Sequence, residues 1–152
     1  MSFSQNCVFE GVLHQSNPNL PAGEALLVEM RPFLKEGGWE SSEPDLWASS
    51  GWALVASRGS EEVEVVVTPN EDGEVFLQIA PYRTPGFLGR LMKKEPSATR
   101  ESVQAVAELA HHYLTAKGFG SQRWRWDGYP DDATGTASPQ PFRVPPVPPA
   151  FG

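Results

Sequence analysis

The chain has 152 residues, 12 basic and 19 acidic side chains for a net charge of -7, and 39 % hydrophobic residues. That is the composition of one globular domain able to bury a core: no apolar run approaches the ~20 residues of a membrane-spanning helix, and the single cysteine, Cys7, excludes an internal disulfide. No basic segment followed by an apolar one opens the chain, so no secretory leader is expected, and the expected compartment is the cytoplasm.

A first helix is predicted across 22–36, where Leu26, Leu27, Met30, Phe33 and Leu34 share a face and Gly37-Gly38 ends the run. Pro32 must kink or split it, because a proline inside a helix removes one hydrogen bond and crowds the preceding turn. Next comes a stretch of Gly, Ser and acids with little periodicity that carries Trp39, Trp47 and Trp52. Trp52 to Ser57 reads as a short strand ending at the turn Arg58-Gly59-Ser60. Glu62 to Thr68 then alternates, with Val63, Val65 and Val67 on a core face and Glu62, Glu64, Val66 and Thr68 on a wet one. Pro69 to Gly73 turns the chain, and Glu74 to Ala80 repeats the alternation through Val75, Leu77 and Ile79. Connections this short predict antiparallel neighbours, a meander of three strands.

The second helix is the best-marked element. Ser97 or Thr99 caps it, Glu101 sits at its positive end, and Val103, Val106, Ala107, Ala110 and Leu114 form a buried stripe with Leu109 at its edge. Lys117, Gly118 and Phe119 supply the stop. Gln122 to Trp126 alternates again and offers a fourth strand, with the tryptophans finishing the core and Arg123 and Arg125 facing acids. The expected fold is therefore α+β: a two-layer sandwich whose antiparallel meander of three to five strands is covered by the long helix and by the N-terminal one. Residues 1–130 form the single domain. Residues 131–152 hold six prolines between Pro139 and Pro149 and read as an extended tail, either recognised through Arg143 to Pro149 or wrapped on the domain by Phe142 and Phe151.

Charge is unevenly placed. Residues 1–80 carry thirteen acids and three bases, whereas 81–152 carry six acids and nine bases. Arg83, Arg90, Lys93, Lys94 and Arg100 fall within eighteen residues and form a candidate contact for an anionic partner or for the acidic half of another copy. Nucleic acid is an unlikely ligand for so acidic a chain. A candidate pocket needs Trp39, Trp47, Trp52, Trp124 and Trp126 around one concavity with His112 as acid or base.

Catalytic motifs are missing. His111 and His112 are adjacent on a helix and point about 100° apart, unlike a metal-binding pair four residues apart. Asp127, Asp131 and Asp132 lack the terminal glutamate of a calcium loop, Gly118-Phe119-Gly120 follows a helix where a dinucleotide loop follows a strand, and no histidine lies near Cys7 in sequence. No cofactor or metal is expected. The order helix, three strands, helix over residues 22–126 of a small acidic chain resembles in outline the chaperones that escort secreted effectors and some toxin-neutralising proteins; that resemblance implies a protein partner. The expected function is a non-enzymatic interaction module that docks an unknown protein, or another copy, through an acidic surface or a sheet edge. The alternative is a small-molecule binder or modest enzyme using the tryptophan pocket.

Overall fold

A computed structural model of the protein describes residues 3–15, 17–70, 72–82 and 98–141. Its elements run β1 (Gln5–Glu10), α1 (Glu24–Glu36), β2 (Glu40–Ser41), β3 (Asp45–Trp47), β4 (Gly51–Arg58), β5 (Glu61–Pro69), β6 (Glu74–Pro81), α2 (Arg100–Ala116) and β7 (Gly120–Trp126). The class is α+β, with two helices and one antiparallel sheet among the described residues. Seven strands replace the expected three to five, in the order β2-β4-β5-β6-β1-β7, with β3 also paired to β4. The meander β4-β5-β6 is as expected, and β7 is the fourth strand. The additions are β2 and β3, two and three residues long, and β1, which lies between β6 and β7. Gln5 and Asn6 hide β1 in the sequence: they are buried polar residues in what would otherwise be an apolar run.

Alternation decides what each strand buries. Cys7, Phe9, Leu54, Ala56, Val63, Val65, Val67, Val75, Leu77, Ile79 and Trp124 point to one side of the sheet, where they form a single core with Leu26, Leu27, Met30 and Leu34 of α1 and Val103, Val106, Ala107, Ala110 and Leu114 of α2. Both helices thus cover the same face. Pro32 leaves α1 a continuous helix; Pro32 and Val28, whose carbonyl loses its bond, are exposed, so solvent can satisfy that oxygen.

Each helix ends in the same way. The N–H groups of Gly38 and Trp39 bond back to the carbonyls of Lys35 and Leu34, and those of Gly118 and Phe119 to Thr115 and Leu114, which is the paired 5→2 and 6→1 arrangement that needs a left-handed residue. Gly38 at φ 91° and Gly118 at φ 82° supply it. The aromatic residue that follows is then folded inward: Trp39 is buried, and Phe119 meets Phe9 at 5.1 Å. At its start α2 is capped by Thr99, whose hydroxyl accepts from the Ser102 N–H at 3.2 Å while Ser102 Oγ accepts from the Thr99 N–H at 3.1 Å. Thr99→Ala is expected to destabilise the protein by about 1 kcal/mol, read as a shift in urea midpoint with an unchanged slope.

The described part of the C-terminal tail returns along β7. Thr136 exchanges both backbone bonds with Trp124, at 2.8 and 2.9 Å, and the Gln140 carbonyl accepts from Gln5 Nε2 and Trp126 Nε1, each at 2.9 Å. A chain ended at Pro130 loses these bonds, and one ended at Pro141 keeps them. At about 0.5–1.5 kcal/mol net per bond, the shorter chain is expected to melt several degrees below the longer one. Equal melting temperatures for the two truncations would show that this return contributes nothing.

Candidate functional site on the helix-free face of the sheet

The side of the sheet away from the helices carries the alternate residues of every strand, and no described helix or strand lies over it. Cross-strand partners arrange these residues in rows. One row is Val55, Glu64 and Ala80; the next is Ala53, Val66, Gln78, Asn6 and Arg125; a third is Thr68, Phe76, Val8 and Arg123. At about 4.5–5.5 Å between facing Cβ atoms, each residue touches the next in its row.

The loop after β7 builds a wall over one end of these rows. Asp127 takes the left-handed conformation at φ 56°, a conformation that an Asp side chain tolerates, and this turns the chain off the strand. Its N–H donates to the Ser4 carbonyl at 2.8 Å and its Oδ1 accepts from the Ser4 N–H at 2.9 Å. Asn6 Nδ2 donates to the Gly128 carbonyl at 2.8 Å, and Tyr129 stacks on Phe76 with ring centroids 5.5 Å apart and planes within 17°. Between this wall and β6 lies a concavity of about 510 Å³ lined by Phe3, Ser4, Asn6, Phe76, Gln78, Ala80, Pro81, Asp127, Gly128 and Tyr129. Small-ligand clefts have roughly this size.

The electrostatics of the face are uneven. Arg123 is spent on Glu74 and Asp132, and Arg125 on the Tyr129 carbonyl and Thr134. On the opposite, helix-covered face, Glu61 is held below the usual carboxylate range, first by the hydroxyl of Ser102 on α2 and then by Arg58. Glu64 behaves in the opposite way. It is half-buried between Val55 and Ala80 with no hydrogen bond or ion pair to a described residue, and burial pushes its carboxyl up. An acid raised in the folded state contributes stability that is present below its ordinary range and is lost as pH rises through the raised value. Glu64→Gln is therefore expected to raise the melting temperature at neutral pH and to leave it unchanged in strong acid, as calorimetry at the two pH values will show.

The sequence-predicted site residues are dispersed. Trp52 and Trp124 face the core from β4 and β7, four strand spacings or roughly 19 Å apart. Trp39 is buried under the Arg58 guanidinium, Trp47 is exposed on β3, and the Trp126 indole bonds to Gln140. The five do not surround one concavity. His112 is exposed against Phe33, while His111 bonds to Gln122 at 2.7 Å. Arg83, Arg90, Lys93 and Lys94 lie outside the described residues. Arg100 is paired with Asp127 at 3.2 Å and sits over the Phe3 and Trp126 rings. Burial pushes the Cys7 thiol up, away from the reactive thiolate. Among the described residues no three His, Cys, Asp or Glu side chains are grouped as metal ligands, and no helix is long and apolar enough to cross a membrane.

Asn6, Gln78 and Tyr129 were missed as site residues because each looks ordinary where it stands: a polar residue near the start, the wet side of a strand, a turn. Glu64 carried a signal that it shares with Glu62, an acid on the same strand face as Val66.

No family model matches the chain, and no curated protein does. Among solved structures, a Trypanosoma brucei AdoMetDC monomer is similar over 54 % of this chain and 36 % of its own, at 17 % identity and a TM-score of 0.30, so the chain spans about a third of that protein.

Proposed function

We propose that the protein is a docking module that receives a basic protein partner on the helix-free face of its sheet. Glu64 is the observation that carries this reading. A half-buried carboxylate with apolar neighbours and no partner among the described residues works against folding, and an arriving positive charge would relieve it. Val55, Phe76 and Ala80 around it supply apolar contact, and the acidic first half of the chain supplies steering.

The sheet edges suit a partner less well. One edge is broken into β2 and β3 around Pro44, carries Glu40, Glu43 and Asp45, and has its Leu46 N–H capped by Asp45 at 3.0 Å. These are devices that discourage strand addition. At the other edge Trp124 is already paired with Thr136.

The test is site-specific photo-cross-linking in the native lysate. A cross-linking residue at Val55 or Thr68 on the face is expected to capture one protein that a cross-linker at Glu108, on the solvent side of α2, does not, and the capture is expected to fall at high ionic strength. Capture of the same proteins from both sides, or none from the face, removes the reading.

A further inference from the structure

The concavity beside Tyr129 is more selective than an acidic surface needs to be. Among the described residues, its lining contains no lysine, arginine or histidine. Asn6 is only 3 % exposed; its Nδ2 is used by the Gly128 carbonyl, and its Oδ1 has no hydrogen-bond partner among the described residues. Native folds rarely leave such an acceptor unpaired. Gln78 faces Asn6 across the β1–β6 ladder, and its amide makes no hydrogen bond to a described residue. Glu64 stands diagonally across the next ladder from Gln78, two residues along from its partner Val66. Above them the Tyr129 ring is 53 % exposed, with one face on Phe76 and the other free of any described aromatic ring.

We infer that this concavity takes a guanidinium group, the arginine side chain of the docked partner. The inference rests on the docking reading and names the chemistry of its central contact. A guanidinium is planar, so it stacks on the open face of Tyr129, and its fork of N–H donors spans two acceptors as close as the Asn6 and Gln78 side-chain oxygens. The carboxylate of the lining itself, Asp127, is already paired with Arg100, so the opposite charge comes from Glu64, which stands just outside the lining on the row next to Gln78. A lysine ammonium has the charge without the plane or the fork, and an anion is opposed by the Asp127 and Glu64 carboxylates. Because the concavity opens on the face that the partner covers, the group comes from that partner rather than from free solution.

The experiment is an amide-resolved NMR titration of the intact chain with three probes: Nα-acetyl-arginine methylamide, its citrulline counterpart and its lysine counterpart. The arginine probe is expected to give saturable shifts at Gly128, Tyr129 and the side-chain amides of Asn6 and Gln78, with affinity about threefold to fivefold above either control. Tyr129→Ala is expected to abolish the preference for arginine over lysine, and Glu64→Gln to weaken both cations and leave citrulline unchanged. Neither substitution touches the core, and an unchanged spectrum of the helices checks that each variant is folded. Equal response to all three probes, or shifts that never saturate and scatter over the acidic surface, overturns the inference. If the face still cross-links a partner whose binding is indifferent to Tyr129→Ala, the docking reading stands and the guanidinium site falls. Arginine preference with no cross-linked partner overturns the docking reading and removes the partner as the source of the group.

Discussion

Leu114→Ala is expected to lower stability by about 2–5 kcal/mol, and Val106→Ala by about 1–4 kcal/mol. Both side chains are fully buried in the stripe that α2 presents to the sheet, within one core shared by Cys7, Phe9, Val65, Leu77 and Trp124. A cavity there is lined by strand residues whose own backbones are fixed by pairing on both sides, so little collapse can fill it. Leu109 provides the internal comparison: it is only partly buried, packed against Gly37 at the end of α1, and its truncation is expected to cost less than that of Leu114. Urea melts of the three variants check the order, and two neutral results at Val106 and Leu114 would sink the helix-on-sheet account.

Gly51→Ala is the second large effect expected, although it adds a single methyl group. Gly51 is buried at the start of β4, and a Cβ there would run into the carbonyl oxygen of Val67 on β5, with Thr68 Oγ1 at 3.1 Å. The obstacle is backbone, so relief requires shifting the β4–β5 ladder at its Trp52–Val67 pair. Overpacking of this kind costs about 1–3 kcal/mol and can exceed that where no side chain can move aside. Gly37→Ala is the control. Its Cβ meets only the tip of Leu109, a partly exposed side chain able to change rotamer, so a much smaller loss of melting temperature is expected. A Gly51 variant as stable as the wild type would show that the β4–β5 ladder slides freely.

What the chain disclosed of its fold depended on how local the signal was. The second helix was legible to its ends because its cap, its stripe and its Gly118-Phe119 stop are all carried by neighbours in sequence. The β4-β5-β6 meander was legible for the same reason: three alternating runs joined by short turns. β1 was not, because its identity as a strand comes from partners about seventy and one hundred and twenty residues away, as in Cys7 opposite Leu77 and Trp124. The short β2 and β3 owe their shape to pairing with β4 and have no pattern of their own. The candidate site failed to show for a related reason: Asn6, Gln78, Glu64 and Tyr129 become neighbours only once β1 is inserted beside β6 and the loop after β7 folds across them. The five tryptophans were conspicuous by type, yet residue type says nothing about which side of a sheet a side chain takes; Trp52 and Trp124 were used up by the core.

The inserted position of β1 governs when the protein can be completed. Ser4 exchanges bonds with Asp127 across 123 residues, and Gln5 reaches Gln140 across 135. Contacts so distant close late, since the intervening loop entropy must be overcome before they stabilise anything. During synthesis, the segment that becomes β1 emerges well before β6, can pair with it only once the meander has formed, and then presents its own unpaired edge until β7 follows. Nascent chains of this protein are therefore open to strand addition by other molecules until β7 has emerged and closed onto β1.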